Sequence, residues 1–133
     1  MIPKFRFYNI KLRTIYKVIN VDLYNEQVDC LLEKQYSDVI TWDIKDGVLM
    51  QSTGLKDMNG KEIFEGDIVK HNPVPNPFIS NAYFEIIQAR SGEWRMDNYR
   101  GGQVLAYGNH EVEVVGNKFT HTLTRGGIRV CRT

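Results

Sequence analysis

The feature that most constrains this chain is the regular spacing of its turn-forming residues. Short runs rich in β-branched and aromatic residues recur about every ten residues, and Gly, Asn and Asp separate them. Sustained helical periodicity is missing from the sequence. The pattern therefore predicts an all-β fold of short antiparallel strands and hairpins, with little helix.

Turn dipeptides predict which strands form hairpins. Asp46-Gly47 and Asn59-Gly60 suit the positive φ angles of a two-residue type I′ turn, and Ser91-Gly92 and Gly126-Gly127 also break apolar runs. The predicted hairpins join 14–24 with 28–32, 39–45 with 48–51, 54–56 with 61–64, and 84–90 with 93–96. Gly126-Gly127 separates the runs 118–124 and 128–131. Three prolines within 72–81 predict an irregular loop there, because proline cannot donate to a central ladder.

Composition limits the classes of partner. The net charge is only +1, from 17 basic and 16 acidic residues, which gives no strong electrostatic case for nucleic acid or a membrane. No apolar stretch approaches the roughly 18 residues of a membrane span. Cys30 and Cys131 lie far apart, and no secretory segment opens the chain, so we expect a reduced protein in the cytoplasm of a bacterial host cell.

The most distinctive segment is 49–69, which reads LMQSTGLKDMNGKEIFEGDIV. It resembles the central signature of YopX-type phage and prophage proteins, with departures at Ser52, Met58 and Phe64. The segments 2–6 (IPKFR) and 113–117 (EVVGN) match the same family in order. The resemblance ends after Asn117, so it leaves the role of 118–133 open.

The YopX resemblance implies a mostly β protein with an SH3-like small barrel, encoded by a phage or prophage and of undetermined molecular function. It transfers no catalytic residues. We predict a single YopX-like unit over 1–133. The alternative is an N-terminal β subdomain over 1–52 followed by an SH3-like barrel subdomain over 53–133.

The chain shows no spacing typical of a metal or cofactor site. The three histidines and two cysteines lack closely paired ligand spacing, and phosphate-binding glycine loops are absent. Four carboxylates lie close together in sequence and could meet as a catalytic pair, although solvated turns explain them more simply: Asp57, Glu62, Glu65 and Asp67. We therefore predict no catalytic residue, metal or cofactor, and a protein that is not an enzyme.

These exclusions favour a protein that acts by binding, with another protein or a second copy of itself as the partner, through an exposed strand edge or loop. The alternative is a small nucleic-acid-binding β-barrel. The segment 94–102 (WRMDNYRGG) interleaves aromatic and basic residues, as single-strand binders do. The candidate binding surface therefore consists of Trp94, Arg95, Tyr99 and Arg100. A hairpin tip with one buried aromatic residue explains the same segment.

Overall fold

The computed structural model describes residues 3–32, 38–71, 83–124 and 127–130. Over these ranges the fold is all-β, with antiparallel sheets, as the sequence predicts, and it includes three short 3-10 turns. The chain divides into two compact units, Met1–Ser52 and Thr53–Thr133. The predicted proline-rich loop over 72–81 lies outside the described residues.

Unit 1 is an antiparallel sheet with the strand order β4-β3-β2-β1-β5. Its buried core is Phe7, Val28 and Cys30. Trp42 of the edge strand lies 6.2 Å from Phe7, ring centre to ring centre, although three positions in the strand order separate their strands. The two rings can meet only because the sheet curls and brings β4 towards β1. The strands are β1 (Phe5–Asn9), β2 (Thr14–Asp22), β3 (Gln27–Leu31), β4 (Val39–Asp43) and β5 (Gly47–Lys56).

Unit 2 contains the end of β5 paired with β6 (Glu62–Phe64), and a five-stranded sheet. The sheet has the order β10-β9-β8-β7-β11, and β12 and β13 form a separate hairpin. The buried core is Ile63, Val69, Ile86, Met96, Leu105 and Val112. The remaining strands are β7 (Asp67–His71), β8 (Tyr83–Gln88), β9 (Trp94–Asn98), β10 (Gly101–Val104), β11 (Val112–Asn117), β12 (His121–Thr124) and β13 (Gly127–Val130).

Most of the predicted hairpins are confirmed. β2 pairs with β3 and β8 with β9, both antiparallel, and β5 neighbours β6. The runs that Gly126-Gly127 separates contain β12 and β13, which also pair. The sheets are unclosed over the described ranges, so the SH3-like barrel is not confirmed.

The predicted hairpin around Asp46-Gly47 is wrong. β4 pairs with β3 and β5 pairs with β1, while a 3-10 turn over Ile44–Asp46 connects them. Gly47 is extended, with φ −165°, so it does not serve a positive-φ turn. Glycine is required there by close approach, because a Cβ would clash with the Tyr8 carbonyl oxygen and with the Phe7 ring.

The hairpin at Asn59-Gly60 exists, but its turn differs from the predicted one. Among the two central residues of the predicted turn, only Gly60 has a positive φ, at 80°. Asp57 N–H donates to the Lys61 carbonyl at 2.8 Å, and Gly60 N–H donates to the Asp57 carbonyl at 3.0 Å. The connection is therefore a three-residue turn that ends in a left-handed glycine, a common alternative to type I′.

Candidate functional site

Trp94 and Arg95, two of the predicted surface residues, are engaged within unit 2. Trp94 begins β9 and packs, partly buried, against the core. Arg95 donates from its guanidinium to both carboxylate oxygens of Asp97, each at 3.1 Å, and this hydrogen bonding raises the pKa of Arg95. Consecutive strand residues point to opposite faces, so these two side chains do not share a surface.

Tyr99 and Arg100 form the two-residue turn between β9 and β10 and lie on the surface. Tyr99 is 52% exposed. Arg100 donates from Nε to the Tyr99 hydroxyl at 3.1 Å, and its guanidinium carbon lies 5.7 Å from the ring centre. The Asn98 side chain accepts a hydrogen bond from the Arg100 backbone amide at 2.9 Å, which holds the turn. The structure thus joins Tyr99 and Arg100 as an exposed pair.

Two of the four clustered carboxylates serve the backbone. Asp57 is only 6% exposed, and its Oδ1 accepts hydrogen bonds from the amides of Asn59 and Lys61, each at 2.9 Å. Its Oδ2 accepts from the Val114 amide at 2.9 Å, which ties the β5–β6 turn to β11. Asp67 is buried and accepts from the Phe64 amide at 2.8 Å. Both side chains thus accept hydrogen bonds from backbone amides, and these bonds compensate for the burial of the two carboxylates.

Potential metal ligands are dispersed over the described ranges, where no group of three or more His, Cys, Asp or Glu side chains could hold a metal. His71 Nε2 lies 3.2 Å from Glu111 Oε2, within hydrogen-bond distance. Cys30 is a free, buried thiol whose burial raises its pKa to about 11, with the Asp29 charge adding to the effect. Cys131 lies outside the described residues.

The β1–β2 turn of unit 1 presents apolar side chains in a fixed conformation. Asn9 accepts hydrogen bonds from the Leu12 amide through its side chain (2.9 Å) and from the Arg13 amide through its carbonyl (2.8 Å). The Ile10 amide donates to the Asp46 carbonyl at 3.2 Å. Although the backbone is held, the side chains of Ile10 and Leu12 are 56% and 53% exposed. Arg13 has a φ of 54°, which is uncommon for a residue other than glycine.

An open groove lies beside this turn, still within unit 1. Its volume is about 590 Å³. Two elements line it, the end of β1 with its turn and the end of β4 with the following 3-10 turn: Asn9, Ile10, Lys11, Leu12, Trp42, Lys45 and Asp46. Trp42 is half-buried, and the centre of its ring lies 4.6 Å from the centre of the Tyr16 ring. We call this site the turn groove.

The turn groove has a basic rim. Lys11 and Lys45 are exposed, and neither side chain forms an ion pair or a hydrogen bond within the described part of the chain. Sequence reasoning missed this site. Its signal is the segment 10–13 (IKLR), which alternates aliphatic and basic residues where polar turn formers are usual.

Within the ranges that the structure describes, no helix is long and apolar enough to span a bilayer.

Comparisons with known proteins place the chain in a family. The YopX protein family matches residues 4–122, which extends the sequence resemblance five residues beyond Asn117. A crystal structure of protein EF1440 from Enterococcus faecalis is similar to the chain, with a TM-score of 0.58 and 26% sequence identity. The alignment covers 88% of this chain and 93% of that protein. Among curated proteins none matches. With its match over nearly the whole sequence, the chain belongs to the YopX protein family.

Proposed function

We propose that the chain is a phage or prophage accessory protein that acts in the bacterial cytoplasm by binding another protein. The observation that carries this proposal is the exposure of Ile10 and Leu12 on a hydrogen-bonded turn. Burial of apolar surface drives protein association, and a backbone that is already ordered loses little entropy on binding. A fixed apolar turn is therefore suited to recognition.

The proposal does not involve catalysis or a cofactor. Support comes from the carboxylates of the family signature, because Asp57 and Asp67 accept hydrogen bonds from backbone amides. The buried, protonated thiol of Cys30 is likewise a poor nucleophile. A free thiol also fits a reducing cytoplasm.

Nucleic-acid binding is the second candidate function, and the exposed pair of Tyr99 and Arg100 favours it. An aromatic ring beside a guanidinium can stack a base and contact a phosphate. The pair stands at one hairpin tip, however, while Arg95 is neutralised by Asp97. A net charge of +1 also supplies little general attraction to phosphates.

A capture experiment separates the two candidates. The full chain is immobilised and exposed to nuclease-treated lysate of the bacterium that encodes it, in parallel with a variant carrying Ile10→Ser and Leu12→Ser. Ile19→Ser is the matched control, because Ile19 is a similarly exposed aliphatic residue in unit 1. We expect a protein partner that the parent and the control retain and the double variant loses.

The parallel measurement is fluorescence anisotropy with single- and double-stranded oligonucleotides. Oligonucleotide binding that disappears in Tyr99→Ala and Arg100→Ala, with no captured protein, would replace protein binding by the second candidate.

A further inference from the structure

The turn groove has properties that restrict the chemistry of its occupant. Resting on the proposed function, we propose that the groove binds an acidic peptide segment of a partner protein, with one apolar side chain of that segment inserted beside Trp42. The proposal combines the charge of the rim, the apolar walls and the conformation of the turn.

The rim favours a negatively charged segment. Lys11 and Lys45 line the groove against a single carboxylate, Asp46, and Arg13 follows directly on the same turn. Two of the 17 basic residues thus lie on a lining of seven residues, in a chain whose charges otherwise nearly cancel. Because both lysines are without carboxylate partners in the described ranges, partner carboxylates would meet no competing ion pair. Such complementarity guides encounter and fixes register.

The walls favour an apolar anchor. Ile10 and Leu12 contribute half-exposed aliphatic side chains, while Trp42 supplies an aromatic surface held against Phe7 and Tyr16 of the core. A volume of about 590 Å³ lies within the usual range of ligand pockets, roughly 300–1,000 Å³, and admits one or two side chains. Anchors in interfaces are typically single large apolar residues in preformed pockets.

Two other occupants fit the same residues less well. A nucleic acid would place phosphates near Asp46, and a base stacking on Trp42 would compete with Phe7 and Tyr16, which already contact that ring. A second copy of the chain related by a two-fold axis would set like patches together, and hence Lys11 and Lys45 against their own equivalents. A peptide segment can place its carboxylates at Lys11 and Lys45 and an uncharged residue beside Asp46, and an apolar side chain beside Trp42 does not have to stack on the ring.

The test is selection of a random peptide library on the immobilised full chain, followed by affinity measurement of the enriched peptides. Binding is compared between the parent, a Lys11→Glu and Lys45→Glu double variant, the Ile10→Ser and Leu12→Ser double variant, and Lys17→Glu. The last is a matched control, because Lys17 is an exposed lysine of β2 outside the groove. Melting temperatures verify that each variant is folded. A Lys11→Arg and Lys45→Arg variant tests whether positive charge at these two positions is sufficient for binding.

We expect enriched peptides to combine Asp or Glu with an aliphatic or aromatic residue. Their affinity should fall at least about tenfold in the Lys11→Glu and Lys45→Glu variant and in the Ile10→Ser and Leu12→Ser variant. It should remain within about twofold of the parent in Lys17→Glu and in the Lys11→Arg and Lys45→Arg variant. The inference is overturned if no peptide is enriched, if enriched peptides lack acidic residues, or if the charge-reversed variant binds them equally well. The groove would be assigned to a nucleic acid if a single-stranded oligonucleotide competes with the peptides. It would be assigned to a second copy of the chain if the parent sediments as a dimer and the Ile10→Ser and Leu12→Ser double variant as a monomer.

Failure of this inference is distinguishable from failure of the proposed function. A protein captured from lysate in an Ile10-dependent manner, together with a peptide selection that shows no acidic preference, would retain protein binding and reject the acidic segment. Absence of any captured protein would instead remove the proposal on which the inference rests.

Discussion

Replacing Asp57 by Ala should destabilise unit 2 more than any surface substitution. Three backbone amides donate to this carboxylate at 2.9 Å, two from its own turn and one from Val114 of β11. The side chain is only 6% exposed. Alanine would leave all three donors without this acceptor. Of the ties between the β5–β6 turn and β11, it would remove the one to Val114 and keep the one from the Met58 amide to the Val112 carbonyl at 2.9 Å.

The magnitude follows from which donors water can reach afterwards. Asn59 and Lys61 are exposed, so their two amides can regain water, at a cost of about 1 kcal/mol each. Val114 is half-buried, and an unsatisfied amide there costs about 1–3 kcal/mol. The sum is roughly 3–5 kcal/mol, which corresponds to a fall in melting temperature of roughly 12–40 °C for a unit the size of Thr53–Thr133.

Asp57→Asn separates geometry from hydrogen-bond polarity. Its Oδ1 can still accept from the two turn amides, but its Nδ2 would face the Val114 amide donor to donor. We therefore expect a loss of about 1–3 kcal/mol, intermediate between the parent and Asp57→Ala.

Denaturant and thermal melts measure these changes, with Asp46→Ala as the control. Asp46 is an exposed aspartate of unit 1 whose side chain makes no hydrogen bond to the described residues. Its replacement should cost less than about 0.5 kcal/mol. If Asp57→Ala unfolds within 0.5 kcal/mol of Asp46→Ala, or if Asp57→Asn is the more damaging of the two Asp57 variants, the reasoning is refuted.

Three further predictions concern other features. Gly47→Ala should cost roughly 3 kcal/mol, because its Cβ meets backbone; Gly60→Ala, with positive φ but open space, should cost about 1–2 kcal/mol in urea melts, and the reverse order would contradict this. Burial raises the pKa of Glu85, so its stabilising contribution is present below its ordinary pKa and lost as pH rises through the raised value. Glu85→Gln should therefore raise the melting temperature near neutral pH but not in acid, and an equal effect at both would refute the burial argument. In a Cys131→Ser background, Cys30 should react with a thiol reagent only as fast as unit 1 unfolds, and rapid labelling of the native protein would contradict its burial.

Local pairing could be predicted from the sequence. The β2–β3, β8–β9 and β12–β13 hairpins join neighbouring strands, so a turn signal between two β-prone runs is sufficient evidence. The β1–β5 pairing is not local, since it joins Phe7 to Leu49 across three intervening strands. A turn dipeptide cannot reveal it. Gly47 therefore looked like a turn residue, whereas tertiary packing against Phe7 and Tyr8 is the reason for glycine there.

The candidate sites show the same division. The sequence brought Tyr99 and Arg100 together because they are adjacent in one turn, and the structure places them side by side. It could not show that Arg95 would pair with Asp97. The turn groove joins residues 9–12 to Trp42 and Lys45 through the curl of the sheet, and no local pattern encodes that meeting.

The most direct test of protein binding through the turn groove is hydrogen–deuterium exchange of the full chain with and without its captured partner. The amides of residues 9–12 and 42–46 are the reporters, and those of 98–101 in the β9–β10 turn are the internal comparison. We predict that partner binding slows exchange in the first two segments and leaves the third unchanged. Protection confined to 98–101, or none in unit 1, would contradict the assignment of function to this groove.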